Sequence, residues 1–268
     1  MTGNVTHLET ILAISSQLCF NLGMKTLPIL FSYDDVKEMY PNQQGFLSFL
    51  KRSLKNGSIK QIKRGLYALV DPSTGNIYAT KFQIASRLFP NSYFSYHEAL
   101  EFYGMANQSF VSVFTYLSTN RVPELEFEDV VYRSKKSTYD LEILDRMKEE
   151  GIRVVSFERA IIDSINSPSQ AGGLEEVENA LEFGRKLDIT VVTTVLEHYD
   201  KAYLYQKVGY LFEKYYGDMI PDSFYKLCLS KMGNKVFYLE PNSKRAKLNT
   251  KWKLMVKENM GGLPDELF

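Results

Sequence analysis

Cysteine is almost missing from this chain: Cys19 and Cys228 stand alone and far apart. They build no disulfide framework, and the start of the chain lacks the charged, apolar and small-residue succession of a secretory leader, so a reducing cytoplasm is the expected setting. Histidine is scarce as well, and His7, His97 and His198 fall at no ligand spacing with the cysteines, which excludes a recognisable zinc site. Apolar runs such as Leu27–Phe31 stop far short of the roughly 20 residues that cross a bilayer, so no membrane partner is expected. A glycine-rich phosphate loop is absent, since Gly172-Gly173 reads as the approach to a helix. Beyond residue 75 no acidic pair is followed by Glu-x-Lys on one strand, the arrangement a Mg²⁺-dependent nuclease would use. No cofactor, metal or catalytic constellation is expected, and a binding protein is expected before an enzyme.

Net charge is missing too, because 32 basic residues balance 32 acidic ones. That excludes a protein basic over its whole surface, but a global sum says nothing of local patches. From Lys37 to Val70 the basic residues are Lys37, Lys51, Arg52, Lys55, Lys60, Lys63 and Arg64 against the single acid Glu38, a local excess of six. What the chain does have is material for a core: 44% hydrophobic and 13% aromatic residues over 268 positions, enough for two domains.

Residues 5–22 carry Leu8, Ile11, Leu12, Ile14, Leu18 and Leu22 at helical spacings and predict a first helix that ends near Gly23. Ser32 to Asp35 supplies a cap with acids in the first turn, and Val36, Met39 and Tyr40 complete a short amphipathic helix that Pro41 stops. Between Asn42 and Asn56, at about 100° per residue, Phe46, Leu47, Phe49, Leu50 and Leu54 share one side while Gln44, Ser48, Lys51, Arg52 and Lys55 share the other. Asn56-Gly57 ends that helix. Ile59–Lys63 and Leu66–Val70 then read as strands around Arg64-Gly65, and the turn-rich run from Asp71 to Gly75 breaks the chain.

A capped helix, a proline turn, an amphipathic helix with a basic outer face and a basic hairpin are, in that order, the parts of a winged helix-turn-helix. The second helix must fit a major groove roughly 12 Å wide while its apolar side holds it to the domain. Asn42, Gln43 and Gln44 stand at its start, where base contacts fall, with Ser48 one turn on. Lys51, Arg52 and Lys55 suit phosphates, as do Lys60, Lys63 and Arg64 on the hairpin, which would lie across the backbone or in the minor groove. The expected fold is α+β: a helical extension over 1–24, a winged helix-turn-helix DNA-binding domain over 25–75, and a larger mixed α/β domain over 76–268.

Along that larger domain the pattern predicts helices over 81–88, 95–104, 141–150, 157–165, 174–183, 191–199 and 203–216, and strands over 110–117, 128–132, 152–155 and 235–239, with a last ordered segment at 252–256. His97-Glu98 could suggest acid–base chemistry, but the spacing from Ser95 makes Glu98 a capping-box partner. Glu158, Arg159 and Asp163 sit at a strand-to-helix junction, where the helix dipole and charge balance explain them. Tyr199, Tyr203, Tyr205, Tyr210, Tyr215 and Tyr216 could stack on single-stranded bases or, the favoured reading, pack as core or cover a partner surface. Lys244, Arg245, Lys247, Lys251, Lys253 and Lys257 form a second basic segment, either a solvated surface or an extension of the DNA footprint.

The segment from Lys51 to Gly57, KRSLKNG, running into Ile62 to Ala68, IKRGLYA, resembles the N-terminal region of the AbiEi family of antitoxins. The same holds, in that family's order, for IASRL (84–88), YFSYHEAL (93–100) with Gly104, VVSFERAIID (154–163) and VGYLFE (208–213). The resemblance covers about residues 30–260. It implies a cytoplasmic transcriptional autorepressor that binds repeats in its own promoter, and an antitoxin of a type IV toxin–antitoxin, abortive-infection (phage defence) system. Its implied partners are double-stranded promoter DNA and a nucleotidyltransferase-like toxin, opposed without a stable complex. Two alternatives stay open: a regulator with the same DNA-binding domain whose larger domain senses a ligand or protein partner, and, less favoured, an enzyme that processes nucleic acid.

Overall fold

The computed structural model describes residues 20–21, 26–40, 42–89, 92–107, 113–118, 123–137, 142–145, 151–240 and 245–257. The chain is a mixed α+β protein of helices and small sheets. It divides into two compact units that interleave in sequence. The first takes residues up to Tyr93 with Val111–Ser137 and Asp145–Arg153, and the second takes Phe94–Phe110, Thr138–Leu144 and Val154–Phe268.

In the first unit Phe20–Asn21 (β1) pairs antiparallel with Thr26–Leu27 (β2). The helix expected over 5–22 therefore does not include Phe20 and Asn21, whose backbone is taken up by the hairpin; its other residues lie outside the described ones. Leu30–Phe31 (β3) leads into one helical turn, Tyr33–Val36 (α1), continued as a 3-10 turn over Lys37–Met39. The Asp35 carboxylate fixes the start of that turn by accepting both the backbone N–H and the hydroxyl of Ser32 at 2.7 Å.

The long helix Gln43–Lys55 (α2) begins at Asn42, whose Oδ1 accepts the Gly45 N–H at 2.8 Å and so satisfies one of the amides a helix start leaves unpaired. It ends where Gly57 adopts φ +74°, a conformation that costs glycine little. Ile59–Lys63 (β4) and Leu66–Leu69 (β5) form the hairpin, with Gly65 at φ +84° in the tight turn. Here β3 joins the free edge of β5, giving the antiparallel order β3-β5-β4.

Phe46, Phe49 and Leu50 of α2 are buried against Phe31, Val36, Ile59, Tyr67 and Leu69. Each such side chain contributes about 1.5–3 kcal/mol on burial, so α2 is held by one side with its other side left to solvent. That side is narrower than the sequence pattern suggested. Leu47 and Leu54, expected with the apolar residues, are 49% and 39% exposed, while Ser53 lies buried among them. The reason is geometric. Phe49, Ser53, Phe46 and Leu50 span an arc of about 100°, and Leu54 and Leu47 lie about 40° and 60° beyond it.

Lys81–Leu88 (α3) forms as expected, with Thr80 and Gln83 capping it reciprocally. Val113–Ser118 (β6), Leu125–Phe127 (β7) and Val130–Lys136 (β8) make a sheet of order β6-β8-β7, with β6 parallel and β7 antiparallel to β8. The strand expected over 128–132 begins two residues late because Glu128 and Asp129, at φ +49° and +66°, form the turn between β7 and β8.

Residues 143–145, expected as helix, are instead the strand Ile143–Asp145 (β9), paired with Arg153–Val155 (β10); residues 141 and 146–150 lie outside the described ones. A β-branched residue beside an available partner strand outweighs a weak helical period.

The second unit holds Tyr96–Phe102 (α4), Phe157–Asn166 (α5), Leu174–Glu182 (α6), Ile189–Tyr199 (α7), Ala202–Tyr216 (α8) and Asp222–Lys231 (α9). A sheet of Phe237–Tyr238 (β11), Ala246–Asn249 (β12) and Leu254–Lys257 (β13) follows, in the order β11-β13-β12. Helix α8 carries Leu204, Tyr205, Val208, Leu211 and Phe212 into the core, and Trp252, fully buried, lies on its Gly209. Neither α9 nor β12 showed in the hydrophobic period of the sequence.

Candidate nucleic-acid interface

The side of α2 that its aromatics leave free carries Gln43, Gln44, Ser48, Lys51, Arg52 and Lys55, all exposed. No acidic residue occurs anywhere between Gln43 and Lys55, so no carboxylate on the helix competes with an approaching phosphate. The turn before α2 is pinned from the core side. The ring of Tyr40 lies 5.4 Å from those of both Phe46 and Phe49. Burial raises the Tyr40 phenol above its ordinary range against the opposing pull of the Arg52 charge. Pro41, the expected stop, lies outside the described residues.

Asn42 is exposed beside these residues, but its side-chain oxygen is committed to the helix cap. With that oxygen taken, the exposed carboxamides whose geometry would suit a bidentate pairing are those of Gln43 and Gln44. A capping role was legible from an asparagine three positions before Gly45.

The hairpin's cations divide. Lys60 pairs with Glu128 and donates to the Gly75 carbonyl at 3.3 Å, and Lys63 donates to the Leu88 carbonyl at 3.3 Å. Arg64 stands exposed at the turn itself. Asp35 anchors α1 to α3 by pairing with Arg87. Burial alone would raise the Asp35 carboxyl, but the Ser32 hydroxyl and N–H and the Arg87 charge together hold it below its ordinary range. Glu128 and Arg87 act across long sequence separations and left no local signal.

In the second unit most of the polar residues singled out from sequence are internal: His97, Glu98, Arg159 and Asp163 are buried, and Glu158 is half-buried. Asp163 is buried and accepts the Ser95 hydroxyl at 2.5 Å, the Tyr199 hydroxyl at 2.5 Å, and Arg159 Nε at 3.3 Å. Burial pushes its carboxyl upward against the pull of Arg159, Ser95 and Tyr199. Because the Ser95 hydroxyl is turned to Asp163, it does not cap α4, and the expected capping box with Glu98 is not formed. Glu158 accepts the Asp188 N–H at 3.1 Å, and Glu176 accepts the Asn107 N–H at 2.6 Å.

The tyrosines from 199 to 216 turn largely inward. Tyr205 and Tyr216 are buried, Tyr203 donates to Asn166 Oδ1 at 2.6 Å, and Tyr216 donates to the Arg185 carbonyl at 3.1 Å. The second basic segment is partly committed as well, with Lys251 paired to Glu213 and Lys253 donating to Asn234 Oδ1 at 2.7 Å.

The first unit thus carries a short helix, a turn, a basic-faced helix and a hairpin closed by a short third strand, within a chain of mixed α+β class. No family model and no curated protein matches the chain. Among solved structures it is similar to the crystal structure of the RV2827C protein from Mycobacterium tuberculosis, with a TM-score of 0.62 at 10% identity, covering 92% of this chain and 90% of that one. At that identity the likeness carries the fold alone. Among the described residues no helix is long and apolar enough to cross a membrane.

Proposed function

We propose that this chain is a DNA-binding transcriptional autorepressor whose β3-α1-α2-β4-β5 segment is a winged helix-turn-helix, and that it serves as the antitoxin of a type IV toxin–antitoxin pair. The observation that carries the DNA-binding half is α2 itself: Phe46, Phe49 and Leu50 hold one side while Gln43, Gln44, Ser48, Lys51, Arg52 and Lys55 face outward with no acid among them. Amides at the helix start suit base edges, cations further along suit phosphates, and Arg64 at the hairpin turn suits the minor groove. The antitoxin half rests on the ordered resemblance to the AbiEi family, with a nucleotidyltransferase-like toxin as the opposed partner.

Each phosphate contact contributes about −0.9 to the slope of log affinity against log salt concentration. Replacing Lys51, Arg52 and Lys55 by alanine should therefore weaken binding to every duplex and flatten that slope by about 3. Gel-shift titrations at several salt concentrations measure it, and an unchanged slope removes these residues from the interface. Co-expression with the product of a neighbouring nucleotidyltransferase-like gene, scored for growth rescue, tests the antitoxin half.

A further inference from the structure

The outward side of α2 is not wholly polar. Gln43, Leu47, Lys51 and Lys55 follow one another at steps of four residues and form a single ridge, with Gln44 and Ser48 on the next ridge over. Leu47 is 49% exposed, and neither it nor Leu54 belongs to the cluster that anchors the helix. An apolar side chain thus stands in the middle of a row of amides and cations, one turn from the helix start. On the major-groove edge of B-DNA the apolar group is the 5-methyl of thymine, beside the donors and acceptors that amides and cations address.

We propose that Leu47 is a specificity-determining residue: it packs on a thymine methyl and fixes a T·A pair in the operator, next to the base pairs faced by Gln43 and Gln44. This rests on the DNA-binding reading above. The cationic flank favours this occupant over a protein surface, because Lys51 and Lys55 on the same ridge match a phosphate-lined groove in charge. Leu54 lies two turns further along, beyond the stretch of a recognition helix that usually reaches base edges, and should carry no such preference.

The full-length protein, as wild type, Leu47→Ala and Leu54→Ala, is used to enrich duplexes from a library randomised over the binding site. The enriched duplex is then remade with each thymine in turn replaced by deoxyuridine, which removes only the methyl. At one position this should weaken wild-type and Leu54→Ala binding about four-fold, the equivalent of one buried methyl group, and leave Leu47→Ala binding unchanged. Leu47→Ala should also enrich sequences without the preference at that position. Wild-type binding indifferent to every such replacement, a thymine-methyl preference retained by Leu47→Ala, or that preference abolished by Leu54→Ala as well would overturn the assignment while leaving DNA binding standing. If the wild type enriches no duplex at all, the DNA-binding reading fails, and this inference with it.

Discussion

Gly209→Ala puts the packing of the second unit to a direct test. Gly209 sits inside α8, where alanine would ordinarily be the better residue by about 1 kcal/mol. A Cβ at this position would meet Trp252 Cζ3, Cη2 and Cε3 at 2.2, 2.4 and 2.8 Å. Carbon atoms rest at about 3.5–4.0 Å, so the indole must retreat by more than 1 Å. Trp252 has little room to do so. Its Nε1 donates to Glu213 Oε2 at 2.7 Å, its N–H donates to Asn249 Oδ1 at 3.0 Å, and its carbonyl accepts Gln206 Nε2 at 3.1 Å.

Overpacking costs about 1–3 kcal/mol and a displaced hydrogen bond about 1 more, which leaves a net loss of about 1–3 kcal/mol after the helical gain of alanine. At about 2–4 °C per kcal/mol for a chain of this size, the melting temperature should fall by about 2–12 °C. Trp252 is the sole tryptophan, so its fluorescence reports the same displacement. Gly45→Ala is the opposed control: its Cβ would meet nothing nearer than Asn42 Oδ1 at 3.5 Å, in a helix, and its melting temperature should hold or rise. A Gly209→Ala protein as stable as wild type with unshifted emission would refute the packing argument.

Asp163→Ala should cost about 3–5 kcal/mol in urea unfolding, because it removes a buried carboxylate that pairs with Arg159 and accepts the Ser95 and Tyr199 hydroxyls; an apolar pair at positions 159 and 163 should recover much of that loss, and full stability in the single variant would show the network is not structural. Burial pushes the Cys228 thiol up to about 12, against about 8.5 in an unfolded chain. A folded value raised in this way favours the protonated form, so the contribution is whole below about 8.5 and is lost as pH rises towards about 12. Urea midpoints should therefore decline more steeply with alkaline pH in wild type than in Cys228→Ala, and equal slopes would contradict the assignment. In the folded protein at pH 8, the peptide carrying Cys228 should resist iodoacetamide, as mapped by mass spectrometry.

The local grammar of the first unit lay in the sequence. Its apolar period, the asparagine before α2, Asn56-Gly57 at its end and Gly65 in the hairpin are all short-range signals, and α2, β4 and β5 follow from them. The outward direction of Gln44, Ser48, Lys51, Arg52 and Lys55 follows from the same period. Tertiary contact decided the rest. How wide a stripe of α2 is covered depends on what lies opposite, so Leu47 and Leu54 emerged while Ser53 was buried. Whether 143–145 is strand or helix depended on a partner strand, and the Ser95 hydroxyl went to Asp163, 68 residues away, rather than to its own helix start. Periodicity and capping preferences act within a few residues and are written in the chain, whereas pairing across long separations is settled only once the backbone has closed on itself.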